Sequence, residues 1–261
     1  MEEKRVTIRD GLFDIQYFVA GEGYPLVFLH GSGGLHRGPF IDTLAQDYRV
    51  YAPLHPGFGG STGLENIEDI VDLALFYGDF FDAVGVERAH LVGHSLGGML
   101  AAEIAVAQAG YVDHLVLANP IGFWRDDAPV LDYISARPRD LLKAIFHDPQ
   151  GEVATAMFTP PEDPEALAAA IFDRAKSYSA AGKFAWPIPD RGLKRRIHRI
   201  KAPTLIVWGE SDGLVPPVYA EDFRAGIANS SVVVLKETGH LPMYEDPPAF
   251  IAAVKGFLPA P

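Results

Sequence analysis

The sequence predicts an α/β fold in which a doubly wound, mostly parallel sheet carries an inserted helical cap. First, short apolar runs alternate with runs at helical spacing in two separate parts of the chain, as expected for strands covered by helices on both faces. Second, glycine-rich loops directly follow several of the apolar runs. Third, a proline-rich interval without short buried strands separates the two parts. We therefore predict an α/β core at residues 1–121 and 201–261 and a helical cap, or lid, at 122–200.

Composition and charge limit the possible partners. The 261 residues are 48% hydrophobic and 21% charged, with a formal net charge of −12. This balance is typical of a compact globular protein and disfavours nucleic acid and anionic membrane surfaces as partners.

The sequence has no cysteine, which excludes disulfides and a thiolate nucleophile. Neither a signal core nor a bilayer-spanning stretch is recognisable, so we expect a soluble, cytoplasmic protein and leave its oligomeric state open.

The first elements of the core follow from local patterns. Residues 6–8 and 13–19 are predicted strands joined at Asp10-Gly11, a hairpin signal. Residues 49–52 predict another strand, which ends in a turn rich in glycine and proline. From residue 67 to 84 apolar side chains recur at helical spacing, which predicts a helix packed on the sheet.

A glycine-rich loop follows the buried strand predicted at residues 25–29. A loop in this position can cradle an anion, so a dinucleotide site has to be considered. The Gly-x-Gly-x-x-Gly spacing fails because His36 occupies the last glycine position. We interpret the loop as one that points backbone amides into a pocket, with Ser32 and Gly33 as the candidates.

The region around Ser95 changes from a strand pattern to a helix pattern. It reads Gly93-His94-Ser95-Leu96-Gly97, preceded by an apolar run and followed by a helix-forming run to residue 106. A strand that turns directly into a helix around Gly-x-Ser-x-Gly is a nucleophile elbow. The turn exposes the serine hydroxyl, and the N–H of Leu96 lies at a helix N-terminus, where it favours a developing oxyanion.

Strands and helices alternate again in the last part of the chain. Residues 114–118, 203–208 and 232–235 are predicted strands. A helix is predicted from about 218 to 228, and a closing helix begins after Pro247-Pro248.

The predicted cap contains helical runs at residues 141–146 and 165–175, separated by prolines. It has more aromatic side chains than a thin helical layer needs for its own packing. We therefore predict that some of them line a substrate pocket beneath the cap. The candidates are Phe123, Trp124, Phe146 and Trp186, together with Leu241 from the core.

Three predicted strand ends carry residues with complementary chemistry, namely Ser95, Asp212 and His240. The carboxyl ends of parallel strands meet at one edge of a sheet, so these residues are expected to lie close together. A serine hydroxyl needs a neighbouring base, histidine suits that role, and a carboxylate orients the imidazole. Glu210 is an alternative to Asp212 as this carboxylate. Asn119 follows the strand predicted at residues 114–118, but its neutral amide cannot serve as an anion.

No metal and no cofactor are predicted. No His-Glu-x-x-His or comparable cluster occurs in the sequence. His90 and His94 are four residues apart but fall on a strand and a turn, so they do not share a helix face. His30 is expected to hold the glycine-rich loop in place, and His94 to pack beside the elbow.

Together these motifs resemble the α/β-hydrolase superfamily, in its cap-bearing branch of esterases, meta-cleavage C–C hydrolases, haloperoxidases and epoxide hydrolases. The resemblance covers essentially the whole chain, from His30-Gly31 through the elbow and residues 208–212 to Gly239-His240. It implies a catalytic triad in the order Ser, Asp, His. It also implies an oxyanion hole formed by Leu96 N–H and an amide of the Ser32-Gly33 loop.

Departures from the family patterns narrow the chemistry. Epoxide hydrolases in this branch use an aspartate nucleophile, whereas Ser95 favours attack on a carbonyl. Meta-cleavage hydrolases typically carry Asn before the serine and Trp after the histidine, where this chain has His94 and Leu241. Their cap arginine corresponds to Arg191 or Arg195, a choice that stays open.

We therefore expect a serine carboxylesterase that cleaves a small, mainly apolar ester. C–C bond hydrolysis of a vinylogous diketone is the first alternative, and perhydrolase activity is compatible with the same acyl-enzyme. A slow or non-catalytic ligand receptor on the same scaffold is the alternative from another functional class.

Overall fold

The computed structural model describes residues 1–186 and 190–259. In this part of the chain, one sheet contains the strands β1 (Glu2–Ile8), β2 (Phe13–Ala20), β3 (Pro25–Leu29), β4 (Arg49–Pro53), β5 (Ala89–His94), β6 (Val112–Ala118), β7 (Thr204–Gly209) and β8 (Ser230–Leu235). Their order across the sheet is β1-β2-β4-β3-β5-β6-β7-β8. β1 and β2 pair antiparallel, as do β2 and β4, and the pairs from β4 to β8 are parallel.

The described helices lie in the connections between strands and after the last strand. They are α1 (Pro39–Leu44), α2 (Ile70–Ala83), α3 (Leu96–Ala107), α4 (Pro138–Ile145), α5 (Glu152–Phe158), α6 (Pro164–Ala185), α7 (Tyr219–Gly226), α8 (Pro242–Glu245) and α9 (Pro247–Phe257). None of these helices combines the length and the apolarity that crossing a bilayer requires.

Successive strand residues face opposite sides of the sheet, and each side has its own apolar core. Val27 and Leu91 belong to the core that includes buried residues of α2, α3 and α7. Their neighbours Phe28 and Val92 belong to the other core, with buried residues of α1 and α9. Because strands covered on both faces have no polar side, they appear in the sequence as continuous apolar runs. The predicted doubly wound, mostly parallel sheet is confirmed.

Local capping explains where some helices begin. The periodicity predicted a helix from residue 67, but α2 starts at Ile70, because the Asp69 side chain accepts hydrogen bonds from the N–H groups of Val71 and Asp72. Such an N-cap satisfies amides that have no partner within the helix. Asp163 caps α6 in the same way through Ala166 N–H.

Three short helices were not expected from the sequence, namely α1, α5 and α8. They contain 6, 7 and 4 residues respectively, too few for a helical period to stand out. α1 is nevertheless anchored, since Phe40, Ile41 and Leu44 are all buried in the core.

The segment between β6 and β7 contains α4, α5 and α6 and, within its described residues, no strand. α6 is much longer than the predicted helix, with 22 residues. Backbone hydrogen bonds tie this inserted segment to loops at the carboxyl ends of the strands. Ala144 O accepts from Gly213 N–H at 2.9 Å, and Ile145 O accepts from His240 N–H at 2.6 Å. The inserted segment therefore lies against the edge of the sheet that carries Ser95, Asp212 and His240.

Candidate active site

Ser95 occupies a sharp turn between β5 and α3. Its backbone angles are φ 55° and ψ −115°, in a region that non-glycine residues rarely adopt. The chain can reverse here because the residues two positions before and after Ser95 are glycines. A Cβ on Gly93 would lie 2.2 Å from Gly97 O, and one on Gly97 would lie 2.0 Å from Leu29 O. These contacts explain physically why glycine stands on both sides of the serine in the elbow.

Ser95, His240 and Asp212 form one chain of hydrogen bonds. His240 Nε2 is 2.9 Å from Ser95 Oγ, and His240 Nδ1 is 2.8 Å from Asp212 Oδ2. An ionised carboxylate only accepts, so Nδ1–H donates to Asp212 and Nε2 accepts from the serine hydroxyl. The three residues follow β5, β7 and β8 and are 3–5% exposed. The order of the sheet thus brings together side chains that are far apart in sequence.

Asp212 is held by donors on both of its oxygens. Oδ1 accepts from the N–H groups of Leu214 and Val215, each at 2.9 Å. Oδ2 accepts from Asn119 Nδ2 at 2.6 Å, in addition to His240. Asn119 follows β6, a position that the sequence excluded for the acid, and its side chain donates to Asp212 instead. The alternative acid, Glu210, is exposed.

The loop after β3 lies directly beside the elbow. A Cβ on Gly31 would be 3.2 Å from Ser95 Cβ and 3.0 Å from His94 Nδ1, so a side chain at this position would crowd the elbow. Among the described residues, the N–H groups of Leu96, Ser32 and Gly33 donate to no protein acceptor. The Ser32 hydroxyl is 2.9 Å from the hydroxyl of Tyr133, a residue of the inserted segment.

Two buried histidines hold the base of this loop. His55 N–H donates to His30 Nε2 at 3.2 Å, and His55 Nε2 lies 3.0 Å from His30 O. His30 Nδ1 contacts Gly31 O, and His55 Nδ1 contacts the Tyr77 hydroxyl. Burial lowers the pKa of His55 to about 4 and that of His30 well below its usual value. Both rings are therefore neutral at physiological pH, which fits a positioning role rather than proton transfer.

His94 and Glu245 position the loop that carries His240. His94 Nε2 is 2.8 Å from His240 O, and burial followed by the nearby His240 lowers the pKa of His94 to about 3. Glu245 accepts from Gly239 N–H and from His147 N–H, each at 2.8 Å. Glu245 was not identifiable from the sequence, because nothing local in the sequence connects α8 with the end of α4.

A cavity of about 90 Å³ opens beside Ser95 and His240. The glycine-rich loop and Leu241 line it from the core side. From the inserted segment it is lined by Tyr133, Leu141, Ile145, Met157, Phe158 and Tyr178. Most of these side chains are apolar or aromatic, so the cavity suits a mainly apolar ligand.

Four of the five predicted pocket residues lie elsewhere; only Leu241 lines the cavity. Phe123 stacks on Phe223 at 4.3 Å, and Phe146 packs edge-on against Phe158. The indole N–H of Trp124 donates to Asp126, and Trp186 is 47% exposed. The aromatic surplus of the inserted segment therefore serves packing as well as the cavity. Composition alone could not separate the two uses, because the choice depends on tertiary contacts.

The comparisons with known proteins agree with this architecture. A family described as "Alpha/beta hydrolase family" matches residues 26–254. The chain is 31% identical over 258 residues to the dihydrolipoyllysine-residue acetyltransferase component of the acetoin cleaving system of Cupriavidus necator, covering 94% of this chain and 66% of that protein. It is 28% identical to the pimeloyl-[acyl-carrier protein] methyl ester esterase of Vibrio atlanticus, covering 93% and 97%.

A solved structure extends the likeness to three dimensions. The meta-cleavage product hydrolase of Pseudomonas fluorescens IP01 aligns with a TM-score of 0.77 and 25% identity, over 97% of this chain and 96% of that one. The family match spans well over half of the chain, and the structure has the corresponding sheet and elbow. The chain belongs to the alpha/beta hydrolase family.

Proposed function

We propose that this hydrolase cleaves a small, mainly apolar carboxylic ester through an acyl-enzyme on Ser95, with His240 as base and Asp212 as its orienting acid. The observation that carries the proposal is the unbroken hydrogen-bond chain from Asp212 through His240 to the Ser95 hydroxyl, which opens into a cavity of mainly apolar lining. A hydroxyl paired with a neutral imidazole that is itself held by a carboxylate is equipped for acyl transfer.

In the first half-reaction, His240 Nε2 takes the proton of Ser95 as Oγ attacks the ester carbonyl. The carbonyl π electrons move onto oxygen, and the Leu96 N–H together with an amide of the Ser32-Gly33 loop stabilises the oxyanion. When the tetrahedral intermediate collapses, the C–O bond to the alcohol breaks and His240 protonates the leaving oxygen. The Nδ1–H bond to Asp212 keeps the imidazole oriented and stabilises its protonated form.

In the second half-reaction, water takes the place of the alcohol. His240 removes a proton from the water as its oxygen attacks the acyl carbon. The second tetrahedral intermediate then releases the carboxylic acid, and Ser95 recovers its proton from His240. Ser95 and water supply the protons and the attacking electron pairs, and the substrate's own C=O and C–O bonding pairs move onto oxygen.

We propose that residues 122–200 act as a cap that selects the substrate. Support comes from the six cavity-lining residues that this segment contributes. Met157, Phe158 and Tyr178 also line an adjoining groove of about 600 Å³ between α5 and α6. An apolar acyl chain longer than the inner cavity would extend past Met157 into this groove.

C–C hydrolysis is the second candidate, because the chain resembles a meta-cleavage product hydrolase in fold and sequence. A dienoate substrate carries a carboxylate, which needs a cation or strong donors. Among the described residues no arginine or lysine lines the inner cavity. Arg191 reaches toward Lys183 O and Arg195 is exposed. Arg174 lines the adjoining groove, 5.3 Å from the Phe158 ring centroid, and is the one specific feature that favours this reaction.

The proposal is tested with p-nitrophenyl esters of increasing acyl length. We expect turnover by the wild type and a loss of about 10⁶-fold in kcat for Ser95→Ala, because triad members act as a unit. Ser179→Ala, an exposed serine on α6, is the matched control and should keep wild-type kcat. Retained turnover in a folded Ser95→Ala variant would overturn the proposal. Slow wild-type turnover combined with tight, ligand-dependent stabilisation would favour the receptor.

A dienone ring-fission product separates the two reactions. If C–C hydrolysis is the native chemistry, wild-type kcat/KM on this substrate exceeds that on the best ester, and Arg174→Met raises KM for the dienoate only. If ester hydrolysis is native, Arg174→Met leaves short esters unchanged and the dienone is a poor substrate.

A further inference from the structure

At the opposite edge of the sheet from Ser95, three ligand-type side chains converge: His90, Asp113 and His114. β5 and β6 pair as Ala89 with Val112 and then Leu91 with Leu115, so the register shifts by one residue between the two pairs. His90 therefore stands opposite both Asp113 and His114. Such a bulge locally redirects side chains, and here it groups all three at the amino ends of β5 and β6.

The distances between the three candidate ligand atoms approach those found around a bound metal ion. Asp113 Oδ2 lies 2.9 Å from His114 Nδ1 and 3.4 Å from His90 Nδ1, and all three atoms fall within 4.8 Å of one another. Around a tetrahedral zinc with bonds of about 2.0–2.1 Å, ligand atoms are roughly 3.4 Å apart. The 3.4 Å between Asp113 Oδ2 and His90 Nδ1 already matches this value, and the His114 side chain, which is 20% exposed, would move from its 2.9 Å contact with Asp113 to complete the site.

The Nδ1 atom of His90 is buried and unpaired within the described part of the chain. The residue is 2% exposed, and its Nδ1 has no hydrogen-bond partner. The rings of Tyr24 and Tyr48 pack against it with centroids at 4.6 and 5.7 Å. A buried, unpaired polar atom that is fixed in place requires a partner.

Arg88 is the one competing cation in contact with Asp113 in this structure. It binds Oδ1 at 3.0 Å, which leaves Oδ2 directed toward the imidazoles. The side chain of Arg88 is 56% exposed, so the pair is worth little in free energy. A carboxylate can therefore keep Arg88 on one oxygen and bind a metal through the other.

We propose that His90, Asp113 and His114 form a binding site for a divalent ion of the zinc class, with water completing the coordination. Two imidazoles and one carboxylate suit Zn²⁺ and its transition-metal neighbours, not Ca²⁺ or Mg²⁺, which prefer oxygen ligands. The ion links the first residues of β5 and β6 across the bulge. The site is independent of the proposed ester chemistry, since five residue steps along β5 separate His90 from Ser95 and span roughly 16 Å.

The test is a Zn²⁺ titration of the chelator-treated full chain against a chromophoric competitor, repeated with Co²⁺ to read coordination from its absorption bands. We expect one ion per chain and a raised melting temperature. His114→Gln removes a ligand whose side chain is 20% exposed and should weaken binding more than about 10-fold, since even outer-sphere changes cost 10–100-fold. Asp113→Asn should do the same.

His198→Gln is the matched control, because His198 is exposed and lies outside the cluster; it should bind Zn²⁺ as the wild type does. Equal affinity in His114→Gln and wild type would mean that zinc binds elsewhere, for example at the active-site imidazoles, and would overturn the proposal. So would a failure of the wild type to bind. Ester turnover of His114→Gln should equal that of the wild type, which separates this test from the catalytic one.

Discussion

The carboxyl edge of the sheet and the inserted segment line the same cavity, but they are built differently. Ser95, Asp212 and His240 sit in turns fixed by backbone hydrogen bonds, such as Ser95 N–H to Ala118 O at 3.0 Å. The inserted segment contributes mainly side chains such as Met157 and Phe158, whose positions depend on packing between helices. We infer that the edge of the sheet sets the reaction, whereas the inserted segment sets the substrate.

The strongest test of the sheet edge is Asp212→Asn. An amide at this position would present a donor to His240 and favour the wrong tautomer, so we expect kcat for the ester to fall about 10⁴-fold. Glu210→Gln, which changes the exposed neighbouring acid, should leave kcat unchanged. If the two variants lost equal activity, the assignment of Asp212 as the orienting acid would be wrong.

The matching test of the inserted segment is Met157→Trp. Met157 lines both the inner cavity and the groove between α5 and α6, so a larger side chain should block the passage. We expect kcat/KM for long acyl esters to fall by about 10-fold or more, with the shortest ester little affected. Trp186→Ala, at an exposed position outside the cavity, is the control. A uniform loss across all acyl lengths would argue against a passage at Met157.

Low pH should lower the free energy of unfolding, because buried neutral histidines stabilise the loops at the carboxyl edge of the sheet. Burial lowers the pKa of His55 to about 4 and that of His94 to about 3, from 6.5. Below pH 6.5 the unfolded chain therefore binds more protons than the folded chain. The contribution of these histidines to the free energy of unfolding is complete above pH 6.5 and is lost progressively toward pH 4. Each histidine contributes about 1 kcal/mol per pH unit in this window.

Denaturant unfolding at a series of pH values from 7 to 5 measures this slope. His198→Gln, at an exposed position, should leave the slope unchanged. A free energy of unfolding that stays constant over this range would contradict the neutral state of His55 and His94.

The contrast between the edge of the sheet and the inserted segment also explains which site residues could be predicted from the sequence. Ser95, Asp212 and His240 were identifiable because each follows an apolar strand, and parallel strands end at one edge. Asn119 and Glu245 were not identified as supports, since their partners Asp212 and Gly239 become neighbours only in the folded chain. The cluster of His90, Asp113 and His114 was not identified for the same reason, because His90 lies on β5 and the other two residues lie on β6. In the inserted segment, the helical pattern was visible but the choice of lining side chains was not.

The smallest effect should come from a side-chain contact between the two regions, the hydroxyl pair of Ser32 and Tyr133 at 2.9 Å. Burial raises the pKa of Tyr133 to about 12, so the phenol stays protonated and able to donate. One neutral hydrogen bond is worth about 0.5–1.5 kcal/mol, and Tyr133→Phe should therefore lower kcat/KM by about 2- to 10-fold. Combined with Ser32→Ala it forms a double-mutant cycle. If the two hydroxyls act together, the double variant should lose no more kcat/KM than the more strongly affected single variant. Fully additive losses would show that the hydroxyls act separately, and that the inserted segment does not position the amides beside Ser95.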